Sequence, residues 1–343
     1  MPAEWEQHAA TWIAWPRREG ISYPGLEEEA QRIWLSLAEV ISRYEPVHIN
    51  VFHMGYYQFV ARELRRRGLL TAARCQIHLV PAYEPWIRDH GPLFVFPTAG
   101  AATPTVLDWR FNAWGGKYPP WDLDDLVPGR VARLLSLPSV SLPFVLEGGA
   151  IETNGAGLLL ASATCLLNPN RNGAQARPAL EAALRRFLGA AQVVWLEGEL
   201  DGDDTDGHLD QHVRFIDERT VLFASVEDWS DPNWRSLARL RVQIEEKLRA
   251  PGLIDAAIPM RLPPRRVFRG QPLPMSYLNF YFVNGALIVP VYGEATDDHA
   301  VGLLRDLLPN RDIVPFPARD MIWGLGAVHC ATQQQPAMSE NRC

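Results

Sequence analysis

Apolar residues recur along this chain in two arrangements. Some form short runs closed by Gly, Pro, Asn or Asp, as buried strands do; others return every three or four positions, as on an amphipathic helix. Residues 11–15 read as a strand stopped by Pro16, and over residues 25–44 Ala30, Ile33, Trp34, Leu37, Val40 and Ile41 share one helical face. A strand is predicted over 47–52, a helix over 55–68 ended by Gly68, and a strand over 77–81. The charged loop Glu84-Pro85-Trp86-Ile87-Arg88-Asp89-His90-Gly91-Pro92 then enters a hairpin of 93–96 with 105–109. The aromatic loop Asn112-Ala113-Trp114-Gly115-Gly116-Lys117-Tyr118 precedes a helix over 122–135 and a strand over 140–145.

From there the pattern repeats. Glu147-Gly148-Gly149 opens a hairpin turned at Asn154-Gly155, a strong two-residue turn signal, followed by a helix over 175–188 and a strand over 192–196. Asp203-Asp204-Thr205-Asp206-Gly207-His208-Leu209-Asp210 opens a hairpin turned near Asp217-Glu218, then a helix over 233–249 and a strand over 256–262. Ser276-Tyr277-Leu278-Asn279 opens a hairpin turned at Asn284-Gly285, then a helix over 297–308 and a strand over 313–316. Last comes the glycine-broken run Trp323-Gly324-Leu325-Gly326-Ala327-Val328-His329-Cys330.

The repeating unit is polar loop, strand, turn, strand, helix, strand, with loops near residues 89, 147, 208, 276 and 330. A regular recurrence of this kind marks a radial or stacked repeat, here one of pattern without evident sequence identity. Five loops suggest an α/β architecture closed into a ring with the loops facing its centre, the strand at 11–15 completing the ring beside the last unit. No low-complexity linker divides the chain, so residues 1–343 are assigned to a single domain.

Composition narrows the function. At 343 residues, 47% hydrophobic and 21% charged, the sequence is that of an ordinary globular protein. A formal charge of −7 carries no basic footprint for nucleic acid. No stretch approaches the roughly 20 apolar residues of a membrane span, and the first residues form no basic-then-apolar leader, so a cytoplasmic location is expected. The four cysteines, Cys75, Cys165, Cys330 and Cys343, show neither paired nor CxxC spacing; a disulfide framework and a zinc site are not indicated. Assembly as a homo-oligomer stays open.

Four of the five loops set a reactive or ionisable group just before the hairpin: Asp89, Glu147, His208 with Asp210, and Cys330. Singly each has a bland reading: a surface ion pair, a turn residue, a turn cap, a buried inert thiol. Their recurrence at one phase of the repeat favours a site, since loops on a rigid scaffold carry function. A thiolate attacks an electrophilic carbon, a histidine moves protons and a carboxylate orients it. Two further carboxylates, Asp89 and Asp210, suit a planar cation such as a guanidinium, whose paired N–H donors match them. His208, Asp210 and His212 alternate along a would-be strand face and form the rival metal reading, but a soft thiol is an odd companion to hard carboxylate ligands; no metal and no organic cofactor is expected. Cys75, Cys165 and Cys343 are expected to be dispensable.

The ordered motifs, from Pro2-Ala3-Glu4-Trp5 through Trp86–Pro92, Phe111–Tyr118, Glu147-Gly148-Gly149, Leu167-Asn168-Pro169-Asn170-Arg171-Asn172, Thr205–Asp210 and Val328-His329-Cys330-Ala331-Thr332-Gln333-Gln334-Gln335-Pro336, resemble the agmatine deiminase family, including bacterial peptidylarginine deiminase-like chains. The resemblance spans nearly the whole chain. It implies the five-bladed α/β propeller of guanidine-modifying enzymes, built of pseudo-fivefold ββαβ repeats around a central active site. It implies Cys330 as nucleophile, His208 as general acid and base supported by Glu147, Asp89 and Asp210 as the guanidinium grip, Trp86 and Trp114 as pocket walls, and Asp204 near the substrate's distal amine. The activity implied is hydrolysis of agmatine to N-carbamoylputrescine and ammonia through a thiouronium on Cys330, without cofactor. Two departures stand out: small or smoothly apolar residues around Cys330 where relatives carry isoleucines, and Asp203-Asp204 where many carry a glutamate. Rival readings are a deiminase of arginine or peptidyl arginine, and a silent propeller that serves as a binding scaffold.

Overall fold

The structure, a computed structural model, describes residues 1–98 and 101–338. One pairing rule runs through it. A short strand turns back into an antiparallel neighbour, and a helix then returns the chain to a third strand, parallel to the second. The parallel step needs the helix because it must re-enter from the far end of the sheet. Leu93–Val95, Thr105–Arg110 and Ser139–Val145 form such a sheet, with helix Val127–Leu135 between the last two strands. The next three are Ile151–Thr153, Leu158–Ser162 and Gln192–Leu196; then Val213–Phe215, Thr220–Ser225 and Ala256–Arg261; then Tyr281–Val283, Ala286–Val291 and Asp312–Pro317. Their crossover helices are Arg177–Leu188, Trp234–Ile244 and Asp297–Leu307.

The fifth sheet joins the two ends of the chain. Its order is Gln333–Pro336, His8–Ala14, Val47–Val51, Cys75–Leu79, with Trp12 opposite Gln333. Helices Glu27–Ile41 and Met54–Arg66 carry its two parallel crossovers. Strand Gln333–Pro336 was not anticipated, because its glutamines look like a solvated tail. Gln333 and Gln334 are in fact buried, and two of the glutamines have side-chain partners: Gln335 Oε1 accepts from Trp12 Nε1 at 2.9 Å and Gln334 Oε1 from Arg88 Nη1 at 2.7 Å.

Other differences have local causes. The helix expected from 122 begins at Val127, with Pro128 in its first turn, where a missing N–H costs nothing. The residues before it form turns in which Asp124 Oδ1 accepts from Tyr83 N and Asp125 Oδ1 from Phe111 N, both at 2.6 Å. The helix expected over 233–249 closes as a π turn, Glu245–Arg249. The loop at 84–92 holds a single helical turn, Ile87–His90, and the loop at 112–118 a left-handed turn, Ala113–Gly116, with positive φ at all four residues. An unanticipated ribbon, Val267–Phe268 with Gln271–Pro272, sets the Phe268 ring 4.8 Å from that of Trp323.

The inner faces of the sheets and helices pack as continuous apolar cores, Trp34, Leu37, Tyr281 and Phe282 among the fully enclosed side chains. A buried ionic knot crosses between sheets. Arg214 donates to Glu4 Oε1 at 2.9 Å and to the carbonyls of Leu278 and Phe280 at 3.1 and 2.7 Å, and forms an ion pair with Glu152 Oε2 at 3.1 Å. Burial takes its charge out of water at a cost, which the two carboxylates offset. No helix among the described residues is long and apolar enough to cross a membrane.

Candidate active site

The turn Ile87–His90 and the segment ending at Cys330 are pinned together. Arg88 N donates to Cys330 O at 3.2 Å, and the buried Arg88 side chain bonds His329 O, Gln334 Oε1 and Glu4 Oε2 at 3.3, 2.7 and 3.4 Å. Asp89 is thereby presented inward. Its Oδ2 accepts from Trp114 Nε1 at 3.0 Å and its Oδ1 from Gly149 N at 3.1 Å. Gly149 has to be glycine: a Cβ there would lie 2.5 Å from His208 Nδ1, 3.0 Å from Asp89 Oδ1 and 3.1 Å from Asp210 Oδ2. Three ionisable groups from two loops therefore converge on one bare stretch of backbone in a third. Trp114 holds φ +53, a left-handed conformation unusual for a bulky residue and tolerated where the surroundings over-determine it.

His208 Nε2 meets Glu147 Oε2 at 2.8 Å, and its Nδ1 stands 3.6 Å from Asp89 Oδ1 with no hydrogen-bond partner. Glu147 is gripped by Arg171, whose Nε reaches Oε1 at 2.6 Å and Nη2 reaches Oε2 at 3.0 Å. Cys165 Sγ donates to the same Oε2 at 3.3 Å, so this thiol stands beside the site. Asp210 Oδ2 pairs with His329 Nδ1 at 2.7 Å, and His329 Nε2 with Glu4 Oε2 at 2.7 Å, which ties the site to the buried knot around Arg214. Cys330 Sγ accepts from Asn279 Nδ2 at 3.2 Å and lies 3.5 Å from Asp210 Oδ2.

Above Cys330 opens a cavity of about 230 Å³. Cys330 and Asp89 line it, Trp86, Trp114, Tyr118 and Trp323 wall it, and Asp204 and Glu84 add carboxylates. Trp86 is held in place by its Nε1, which donates to Ser22 Oγ at 2.9 Å, and by Gly326, where a Cβ would stand 2.7 Å from the indole.

The charges follow from burial and pairing. Glu147 is held down at about 2: burial opposes this, but the hydrogen bond from His208 and the Arg171 guanidinium outweigh it. Asp210 also sits at about 2, burial being overcome by its bond to His329. His208 is held well above its ordinary value; burial works against the cation, and the Asp89 charge with the bonds to its neighbours prevails. Asp89 is raised by burial, and Glu84 is pushed by burial up to about 7. Burial, then the Asp210 and Asp89 charges, push the Cys330 thiol well above its usual range. A raised thiol means that its thiolate fraction falls tenfold for each pH unit below that value. Alkylation of Cys330 by iodoacetamide, followed on the Cys330 peptide, should therefore be slow at pH 7 and still climbing beyond pH 9. A rate that levels off below pH 8 would contradict this electrostatic picture.

The metal reading fares poorly on chemistry. Among the described residues the group whose ligand atoms come within 4.8 Å of one another is Glu147, Cys165 and His208, not the His208, Asp210, His212 set. The Arg171 guanidinium already occupies both Glu147 oxygens, and burial pushes the Cys165 thiol up to about 12. A cation would face a fixed positive charge and a protonated thiol.

Of the acidic run from Glu199 to Asp210, only part faces the cavity. Asp204 lines it and Asp210 lies beside Cys330. Asp201 pairs with Arg265, Asp203 caps the backbone of Thr205 and Gly207, and Asp206 pairs with Arg171 and with Lys117 at 2.8 Å. Sequence reasoning missed Asn279, although it falls in the one repeated loop left without a chemical group. It also missed Cys165, His329 and Glu84, which carry no periodic signal, and left Arg171 unplaced. Cys75 lies in the strand Cys75–Leu79, away from these contacts, and Cys343 lies outside the described residues.

The family model for Porphyromonas-type peptidyl-arginine deiminase matches residues 1–336. The agmatine deiminase of Stutzerimonas stutzeri is 34% identical across 98% of this chain and 95% of its own. That of Pseudomonas aeruginosa is 35% identical at the same coverage of both. Among solved structures, Enterococcus faecalis agmatine deiminase superposes with a TM-score of 0.90 at 28% identity, over 98% of this chain and 95% of that one. A cysteine-to-serine variant of the C. jejuni agmatine deiminase with substrate bound gives 0.87 at 27% identity, over 98% and 96%. The mixed α/β fold is theirs, and with a model match along all but its last few residues this chain belongs to the Porphyromonas-type peptidyl-arginine deiminase family.

Proposed function

We propose that the protein is an agmatine deiminase, a hydrolase that converts agmatine and water to N-carbamoylputrescine and ammonia. The observation that carries this reading is Cys330 at the base of a cavity, flanked by Asp89 and Asp210, with two buried polar atoms, His208 Nδ1 and Asp210 Oδ1, lacking protein partners. Such groups cost stability unless a ligand completes them. A guanidinium completes Asp210 Oδ1, its N–H donors pairing with Asp89 and Asp210 between the faces of Trp86 and Trp114, and leaves the His208 Nδ1 proton for transfer. Its charge offsets the two carboxylates that hold the thiol up, so binding favours loss of the thiol proton, and Asn279 Nδ2 steadies the anion.

The thiolate adds to the guanidinium carbon. Cationic His208 gives its proton to a departing nitrogen, ammonia leaves, and an S-alkylthiouronium remains. Neutral His208 then takes a proton from water as it attacks the same carbon; the C–S bond breaks and the ureido product forms. Glu147, clamped by Arg171, keeps His208 basic enough for both steps. The donor set supplies all the charge stabilisation the reaction needs, with no metal or organic cofactor. The five sheets, with the chain ends sharing one of them, support a five-bladed α/β propeller forming a single domain around this site. We further infer a cytoplasmic protein whose partner is the small guanidine substrate rather than nucleic acid or membrane.

Substrate choice rests on the far end of the cavity. Asp204 lines it, while Arg88 and Arg171 are both committed to buried carboxylates and offer nothing to an α-carboxylate. Lys117 reaches the rim, but its Nζ is paired with Asp206 and bonded to Asp204 O. An ammonium is welcome there and a carboxylate is not. Agmatine should exceed arginine in kcat/KM by at least about a hundredfold, the scale of a few kcal/mol of charge mismatch. Asp204→Asn should narrow the gap by weakening agmatine more. The measurement is kcat/KM for agmatine, arginine and a blocked arginine peptide on both proteins; a wild-type preference for arginine or the peptide overturns agmatine and leaves the deiminase chemistry.

A further inference from the structure

We propose that Glu84 is a specificity-determining residue of this site, binding the terminal ammonium of an alkylguanidine together with Asp204. The proposal rests on reading the cavity as an alkylguanidine site and assigns its far end.

Three carboxylates line the cavity: Asp89, Asp204 and Glu84. Asp89 belongs to the Cys330 end, through its contacts with Trp114, Gly149 and His208. Asp204 is partly spent: its Oδ2 accepts the Tyr118 hydroxyl, and Lys117 Nζ sits on its carbonyl. Glu84 differs in having no cation bonded to it. It is 4% exposed, yet no Lys or Arg among the described residues pairs with its carboxylate. Its side-chain partners are the Ser22 hydroxyl on Oε2 and a long 3.5 Å contact from Ile21 N to Oε1. Both partners come from a segment that itself lines the cavity.

A carboxylate buried in this way without a cation is costly, and its raised pKa of about 7 reflects that burial. A merely structural role would be served by its backbone, which already bonds His90 Nε2 at 3.0 Å and Asp124 Oδ1 at 3.3 Å. The carboxylate lacks a paired cation, and the residue lines the space where a second positive charge of the substrate must go. Ser22 also accepts from Trp86 Nε1 at 2.9 Å, so the indole wall and the carboxylate are set by one hydroxyl.

The test compares wild type with Glu84→Gln, in which the amide oxygen still accepts from Ser22. Agmatine is measured as substrate and n-butylguanidine, which has the same chain without the ammonium, as competitive inhibitor. The expected result is a KM for agmatine raised about tenfold or more, the scale of a charge-assisted hydrogen bond, with kcat within about twofold and the butylguanidine inhibition constant unchanged. Glu84→Asp, which keeps the charge but withdraws it, should fall between the two. Equal losses for both guanidines would mean that Glu84 only shapes the wall, and unchanged agmatine kinetics would mean that it takes no part; either overturns the proposal. Wild-type protein that turns over no guanidine would instead overturn the reading of the site.

Discussion

Cys330→Ser should reduce turnover of agmatine at least about a thousandfold, the scale of losing a covalent step, and leave thermal unfolding where it is. Serine fits the space and still accepts from Asn279, so packing around residue 330 is kept. What is lost is ionisation: even with a guanidinium beside it, an alcohol forms its anion far less readily than a thiol. The ureido-product assay and a melting curve read the two effects separately. Activity above about a thousandth of wild type would remove Cys330 from the covalent role, on the same scale. Cys75→Ser should be silent by contrast. Cys165→Ser should be tolerated better than Cys165→Ala, because the hydroxyl can still donate to Glu147.

The second large effect should come from the paired carboxylates, and the structure splits what the sequence treated alike. Asp89→Asn and Asp210→Asn should each lower kcat/KM by a factor of about a hundred to several thousand, as charge-assisted contacts in a closed site do. Their stabilities should diverge. Asp89 is held by Trp114 Nε1 and Gly149 N, and an amide oxygen can keep one of those bonds; its melting temperature should hardly move. Asp210 balances His329, which is linked through Glu4 to Arg214. Removing its charge leaves that buried knot short of a carboxylate, at a cost of about 3–5 kcal/mol. The sign in pH agrees: with its carboxyl held at about 2 against an ordinary 3.8, Asp210 contributes stability that is present above the ordinary value and lost as pH falls through about 2. An Asp89→Asn protein that unfolds, or one that keeps full kcat/KM, would contradict this division of roles.

Much of this protein is legible in one dimension because its chemistry and its strands are both local signals. A run such as residues 192–196 needs no partner to declare itself, and the observed strand Gln192–Leu196 has the same limits. The regular return of a polar loop before each hairpin marked Asp89, Glu147, His208 and Cys330, and the structure brings these side chains from separate loops to one locality. The same rule applied to the loop at 276 would have pointed to Asn279, which lacks only an ionisable group.

What the sequence could not express was where the polar residues find partners. Strand Gln333–Pro336 pairs with His8–Ala14 across the length of the chain, and Gln334 and Gln335 find side-chain partners only in Arg88 and Trp12. Arg171 has a charge in the sequence and a purpose only beside Glu147. Six acidic residues between Glu199 and Asp210 look equivalent on paper, while the fold spends Asp201, Asp203 and Asp206 on arginines, a lysine and backbone and turns Asp204 and Asp210 toward the site. Hydrophobic period and turn chemistry act between near neighbours, so the sequence alone determined the elements, their repeat and the candidate groups. Hydrogen bonding and charge compensation act between residues tens to hundreds of positions apart, so only the tertiary structure decided which of those groups are paired, which are left facing the cavity, and how each one is charged.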